Sequence, residues 1–360
     1  MHKSIPIIKK KTTFVNKKMY SIDYYNKEQF PQLKKDWERL QKGNDMTIYQ
    51  SYAWYEMLNK VYVPEDTKLY ISVYAVIKND GIPVLIAPLW IILHTFKLVN
   101  KKGVYILGRS SWSDYLNFVY DEFNYDAINY LLNSITKKYK VKRFYLESLR
   151  EDAQTFIFFR QNKKANELGV GTSVTFILPK TQDDYKAILS KNTRQNIRTA
   201  HNRQNKDGIN IRVLFDDNSV DKDKCWNIRE ERFGKKFKRI SPLRKIKYSI
   251  MRKLTFQFKS FLPFYTFPNG HFLTTYNGED LCSFFFYIID EDHKQILVLA
   301  AGVNSTYSKY SPGFVSLFDL INYQISIGDV DTIDFGVGDE KYKYSLGGQQ
   351  QNINGIDLKV

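Results

Sequence analysis

Cysteine is scarce in this 360-residue sequence, and Cys225 and Cys282 lie far apart without a CxxC partner. That excludes a disulfide framework or a cysteine zinc site and fits a reducing compartment. The five histidines show no metal-ligand spacing, so no metal is expected. Long apolar runs are missing too. The most apolar stretch, Ile82 to Leu93, contains Pro83 and Pro88 and is well short of the roughly 20 residues that span a bilayer. It reads as a buried strand. The basic N-terminus, MHKSIPIIKKKTTFVNKK, lacks the apolar segment of a signal peptide. There is no GxSxG elbow, and neither cysteine has an evident activating histidine, so an acyl-enzyme nucleophile is not indicated. A cytoplasmic protein is expected, with peripheral contact at the inner membrane surface as the membrane option.

What is abundant is positive charge and aromatic residues. The net charge of +16 attracts phosphorylated cofactors, nucleic acid or anionic membrane, without discriminating among them, and it also serves solubility. The 25 Phe and 26 Tyr can fill more than one core, and the length fits two domains. Residues 1–29 read as a flexible basic lead-in, 30–172 as a first α/β domain and 173–360 as a second. In the first, helical patterns begin at Pro31 and near Ser51. A hairpin turns at Asn79-Asp80-Gly81, and a strand–helix–strand unit runs from Gly103 to Leu149. The second has helices at Thr181 to Leu189, Lys191 to Asn205, Asp221 to Lys236 and Ser241 to Gln257. A strand meander from His271 to Val303, a helix from Phe314 to Ile327 and a strand from Thr332 to Phe335 follow. The order of elements repeats between the halves; the letters do not.

Several ordered segments carry a resemblance. They are Gln50-Ser51-Tyr52-Ala53-Trp54, Gly81-Ile82-Pro83-Val84, Ala87-Pro88-Leu89, Leu107-Gly108 with Ser113-Asp114-Tyr115, and Tyr145-Leu146-Glu147-Ser148-Leu149. Leu189 to Arg198, Tyr310-Ser311-Pro312-Gly313, Asp334-Phe335-Gly336 and Tyr342-Lys343 continue the series. Across about residues 30 to 345 the chain resembles the GNAT-superfamily group of cellulose-biosynthesis-associated (CelD/BcsL-like) acyltransferases, and more distantly the FemABX peptidyltransferases. It departs from simple GNAT enzymes in lacking the RxxGxG/A signature before the helix. The resemblance implies tandem GNAT-like domains, each a mixed, largely antiparallel sheet flanked by helices. It also implies acyl-CoA, acetyl or longer, as co-substrate.

The strand–loop–helix unit from Gln295 to Ile327 is the candidate donor site. A helix N-terminus offers unpaired N–H groups and partial positive charge to a pyrophosphate. Gly313 would admit the ligand close to the backbone, although an ordinary Pro-Gly turn has the same letters. The resemblance places pantetheine near Leu299 to Asn304, so Val303, Asn304, Tyr310, Ser311 and Gly313 are the donor-binding candidates. Asp334 is the candidate base and Tyr342 the acid for the departing thiolate; the bland alternatives are a capped loop and packing. Arg194 and Arg198, four apart on one helical face, are candidate acceptor or phosphate ligands with Lys191, Lys343 and Asp114, against the commoner fate of a solvated basic face.

The leading expectation is direct transfer of an acyl group from acyl-CoA to an amine or hydroxyl, on an amino sugar or a cell-surface polysaccharide precursor. A FemABX-like transferase using aminoacyl-tRNA is the alternative, favoured by the charge and disfavoured by the lack of a long helical arm. A non-catalytic basic scaffold is the third.

Overall fold

The computed structural model describes residues 19–61, 63, 66–94, 101–108, 113–238 and 262–360. Its first half runs β1 (Tyr20–Tyr25), α1 (Lys34–Leu40), α2 (Tyr52–Val61), β2 (Tyr70–Asn79), β3 (Ile82–Ile92), β4 (Gly103–Ile106), α3 (Tyr125–Tyr139), β5 (Arg143–Arg150), α4 (Gln154–Arg160) and β6 (Ala165–Ile177). Two helices follow, α5 (Gln182–Ile188) and α6 (Lys191–Lys206). The second half then runs β7 (Ile211–Leu214), α7 (Lys222–Lys238), β8 (Gly270–Asn277), β9 (Asp280–Asp290), β10 (Gln295–Val303), α8 (Pro312–Ile327), β11 (Thr332–Val337), α9 (Lys341–Ser345) and β12 (Gln349–Lys359).

Local chemistry sets most of these boundaries. Asp80 (φ 49°) and Gly81 (φ 83°) both take positive φ in the β2–β3 hairpin turn, the geometry that a tight hairpin demands. The side chains of Asn124, Thr181 and Ser190 cap α3, α5 and α6 by accepting the backbone N–H three residues on. Ser51 does the same for α2, taking the Trp54 N–H at 3.1 Å.

The strands form one twelve-stranded sheet in the order β1-β2-β3-β4-β5-β12-β6-β11-β10-β9-β8-β7. This is a mixed α/β fold, as expected, and neighbours are antiparallel except for β4 with β5 and β10 with β11. The sequence β1 to β6 recurs as β7 to β12, but the last strands are exchanged. Strand β6 pairs with β11 of the second half, and β12 pairs with β5 of the first. The two exchanged strands pair with each other at the centre, from Gln349↔Thr175 to Leu358↔Ala165. Each half thus completes the sheet of the other.

Two expectations need correction. Tyr20–Tyr25, placed in the flexible lead-in, is an edge strand, half-buried except at Ser21; it pairs with β2 from Tyr20↔Asn79 to Tyr25↔Tyr74. The division at 172/173 falls inside β6, which runs unbroken through it. The expected helix from Ser241 to Gln257, and the lead-in up to residue 18, lie outside the described residues. The main core gathers Trp37, Trp54, Tyr55 and Tyr74 and continues through Phe264 and Phe284 into the second half. A second core, with Phe176, Leu317, Leu320 and Ile333, lies under α8.

Candidate active site at the junction of the halves

Strands β10 and β11 start side by side and part company. They pair in parallel only at Gln295↔Thr332, Ile296↔Ile333 and Leu297↔Asp334. Beyond Leu297, β10 stays paired with β9 as far as Val303↔Ser283, with an irregularity between Val298 and Ala300. Among the described residues, its other edge carries no strand from Val298 onward. The result is a wedge between two parallel strands with a row of backbone N–H and C=O groups along one wall, and such groups seek partners.

Asp334 sits where the wedge opens. Its carboxylate is 2% exposed. It accepts the Tyr115 hydroxyl at 2.6 Å and the Gly336 N–H at 2.7 Å. Burial holds its pKa above the usual carboxylate range, against both donors. Tyr115 comes from the other half, in the segment that follows β4. Beside it Asp114 accepts the Val337 N–H at 3.0 Å. Burial is the main reason that the Asp114 carboxyl is pushed up to about 6. The Val337 N–H, Lys343 and Tyr49 pull it down, while the charge of Asp334 adds to the rise.

Gly336 has φ +71°, and a Cβ there would lie 2.8 Å from the Asp114 carboxylate and 3.1 Å from the Val298 carbonyl. Glycine is therefore required twice over: for its dihedral, and for the approach of β10 and Asp114 from two sides. Lys343, 2% exposed, closes the loop from beneath. Its ammonium donates to the carbonyls of Gly336 (3.0 Å), Val337 (3.3 Å) and Gly338 (3.0 Å) and pairs with Glu340 at 3.0 Å.

The residues that position Asp114 and Tyr115 come from the motif-like segments of the first half. Gln50 closes a capping box with Thr47 and donates its amide to the Tyr115 carbonyl at 3.1 Å. Trp54 donates its indole N–H to the Ser113 hydroxyl at 2.8 Å. Leu116 N–H reaches the Ser148 carbonyl at 2.9 Å. Segments far apart in sequence, from Gln50 to Ser148, thus converge on holding Asp114-Tyr115 against the end of β11.

Residues 191–344 match the acetyltransferase (GNAT) domain family. The matched stretch runs from the start of α6 to α9 and contains the β10/β11 wedge. It supports an N-acyltransferase enzyme. A comparison with curated proteins gives no match. Among solved structures, FemX is similar at 12% identity with a TM-score of 0.59, covering 94% of this chain and 97% of that one. A conserved protein of unknown function from Bacteroides thetaiotaomicron VPI-5482 is similar at 10% identity and TM-score 0.56, covering 95% and 100%. L-PGS from Bacillus licheniformis is similar at 8% and TM-score 0.52, covering 91% of each chain. At such identities these likenesses concern the fold.

Of the candidates read from sequence, the structure brings Asp114, Asp334 and Lys343 together. Lys343, expected to face substrate, is instead engaged by the loop carbonyls above it. Tyr342, the expected acid, packs half-buried at the second core. Val303 is exposed at the end of β10. Asn304 is occupied locally: its carboxamide accepts the Thr306 N–H and donates to the Leu281 carbonyl. Tyr310 is buried, its hydroxyl bonded to Asp207 at 2.9 Å. Ser311, in the left-handed region at φ 51°, precedes α8 without a side-chain cap bond. Gly313 has a packing explanation, since a Cβ there would lie 3.2 Å from Val303 and 3.4 Å from Phe285.

On α6 the expected clamp is not formed. The Arg194 guanidinium donates to the Lys186 and Leu189 carbonyls at the end of α5, while Lys191 and Arg198 are exposed. Tyr115, Tyr49 and Arg150, which shape the field around Asp334 and Asp114, were not among the candidates. The Ser113-Asp114-Tyr115 segment was the available signal for the first. Among the described residues no His/Cys/Asp/Glu group could hold a metal, and no helix is long and apolar enough to cross a membrane.

Proposed function

We propose that the chain transfers an acyl group from acyl-CoA to an amine or hydroxyl acceptor, with the donor in the wedge between β10 and β11. The observation that carries this is the edge of β10 that has no strand partner among the described residues beyond Leu297; it opens beside the buried Asp334 inside the matched domain, with Asp114 of the first half set against the Gly336 turn. A pantetheine arm laid along that edge would take up its N–H and C=O groups as a strand would. An N–H of the same edge is then available to the thioester carbonyl as negative charge builds on its oxygen.

The acceptor nitrogen or oxygen attacks the thioester carbon, the C–S bond breaks, and the thiolate leaves. Asp114 takes the proton lost by the acceptor. With a pKa of about 6 it is mostly ionised near neutral pH and still basic enough to accept. Asp334 has both oxygens occupied by fixed donors, so its role is to hold Tyr115 and the Gly336 turn. Tyr342, the acid expected from the sequence, packs at the second core, so the leaving thiolate is given its proton by solvent. An amino sugar or a cell-surface polysaccharide precursor is the acceptor class suggested by the CelD/BcsL-like resemblance.

The test is titration with acetyl-CoA and a longer acyl-CoA, followed by CoA release in the presence of amino-sugar acceptors. Saturable binding with acceptor-dependent release supports the reading; lack of binding to either thioester sinks it. A second reading, an aminoacyl-tRNA donor, draws on the exposed basic face of α6 and the +16 charge. It predicts tRNA binding that weakens steeply with salt.

A further inference from the structure

His293 lies in the turn between β9 and β10, outside the site just described, and it bridges the halves. Its Nδ1 is 2.9 Å from the Asp290 carboxylate, and its Nε2 is 3.3 Å from the Gly43 carbonyl in the loop between α1 and α2. Both partners are acceptors. A neutral imidazole has one N–H and can satisfy only one of them, whereas the imidazolium satisfies both. Asp290 is 4% exposed, so its charge has little water to screen it.

The loop held this way backs the site. A Cβ on Gly43 would collide with the Tyr120 and Asp121 carbonyls, so this loop lies directly against the end of the Asp114 segment. Two residues on, Asp45 accepts the Tyr120 hydroxyl at 2.7 Å and the Gln154 N–H at 2.8 Å.

We infer that His293 is a positioning residue, carried as the imidazolium, that fastens the second half to the loop supporting the Asp114-Tyr115 segment. The groups facing it are Asp290 and Asp292 from its own turn and the Gly43 carbonyl from the first half. Lys294 is its neighbour in the chain; Lys42 and Asp45 flank the Gly43 loop. Burial pulls the imidazole pKa down, but Asp290, the Gly43 carbonyl and the charge of Asp292 raise it above its ordinary value. The stabilisation is therefore complete below the unfolded pKa of about 6.5 and is lost as pH rises through the higher folded value.

The experiment is an NMR titration of the His293 ring in the full chain, with thermal unfolding of wild type, His293→Gln and Asp290→Asn at pH 6 and pH 8.5. The expected results are a ring pKa above 6.5 that falls in Asp290→Asn, and a Tm loss in His293→Gln that is larger at pH 6 than at pH 8.5. A ring pKa at or below 6.5, or a Tm loss equal at both pH values, overturns the inference. The inference rests on the proposed function only for the consequence at Asp114. Ring titration and unfolding are read without any acyl donor, so failure of the clamp and failure of the acyltransferase reading are told apart.

Discussion

The two halves contain the same parallel pair at the same place, and among the described residues only one is open. In the first half β4 and β5 pair at Val104↔Phe144 and Tyr105↔Tyr145 and then diverge, as β10 and β11 do. There the chain fills its own gap. Leu116 bonds the Ser148 carbonyl on the β5 side, Val119 bridges to Ile86 of β3, and Tyr115 to Tyr120 are all buried. In the second half, the segment after β10 forms a 3-10 turn at Ser305–Tyr310 and goes directly into α8. Among the described residues, the wedge is left without a strand or loop of its own. The difference teaches how a duplicated fold divides its labour: the first copy spends its gap on a segment that presents Asp114 and Tyr115 to the second.

The largest expected effect separates chemistry from structure. Asp114→Asn should lower acyl transfer by about 10²–10⁴-fold, the range for loss of a general base. It should also abolish an acid limb in the pH–rate profile near 6. Because burial raises the Asp114 pKa, ionising it works against the fold, so the same variant should keep or raise Tm at neutral pH. A fall in Tm matching the fall in rate would assign Asp114 to structure alone.

Leu116→Ala should do the reverse. Emptying the filled wedge removes a fully buried side chain, at a cost of about 2–5 kcal/mol in stability, measured by denaturant unfolding. Donor affinity per folded molecule should stay as it was. Lys343→Met should cost about 3 kcal/mol by leaving the loop carbonyls without their common donor. It should weaken donor binding as well, since that loop forms the mouth of the open wedge. Gly313→Ala should cost about 1 kcal/mol through overpacking against Val303 and Phe285. Arg198→Ala, on the exposed face of α6, should change stability by less than about 0.5 kcal/mol. A marked loss of tRNA binding in that last variant would favour the second donor reading.

Much of this was legible in the sequence, and the illegible parts cluster at the centre. The hairpin at Asp80-Gly81, the capped helices at Asn124, Thr181 and Ser190, and the strands of both meanders follow from turn chemistry and periodicity. The candidate residues Asp114, Asp334 and Lys343 were reachable through the motif-like segments. Strand β12 was not, because Gln349-Gln350-Gln351-Asn352 lacks an apolar period; its place between β5 and β6 is set by pairing on both edges. The N-terminal part of β6, α4 and α9 were missed for a related reason, being short or polar elements fixed by the strand exchange. Sequence patterning reports what faces a core; it does not report which half a strand will join. Gly313 has a packing reason that sequence does not separate from a ligand role, because a small residue next to a helix N-terminus serves close packing as readily as it serves a ligand.

The central claim is that the donor lies in the second wedge and not the first. Backbone amide hydrogen exchange with and without acetyl-CoA tests it most directly. The account predicts slowed exchange at the β10 amides from Val298 to Val303, with Leu107 and the segment from Ser113 to Phe118 unchanged. Protection confined to the β4–β5 end, or saturating binding that leaves β10 unaltered, would contradict it.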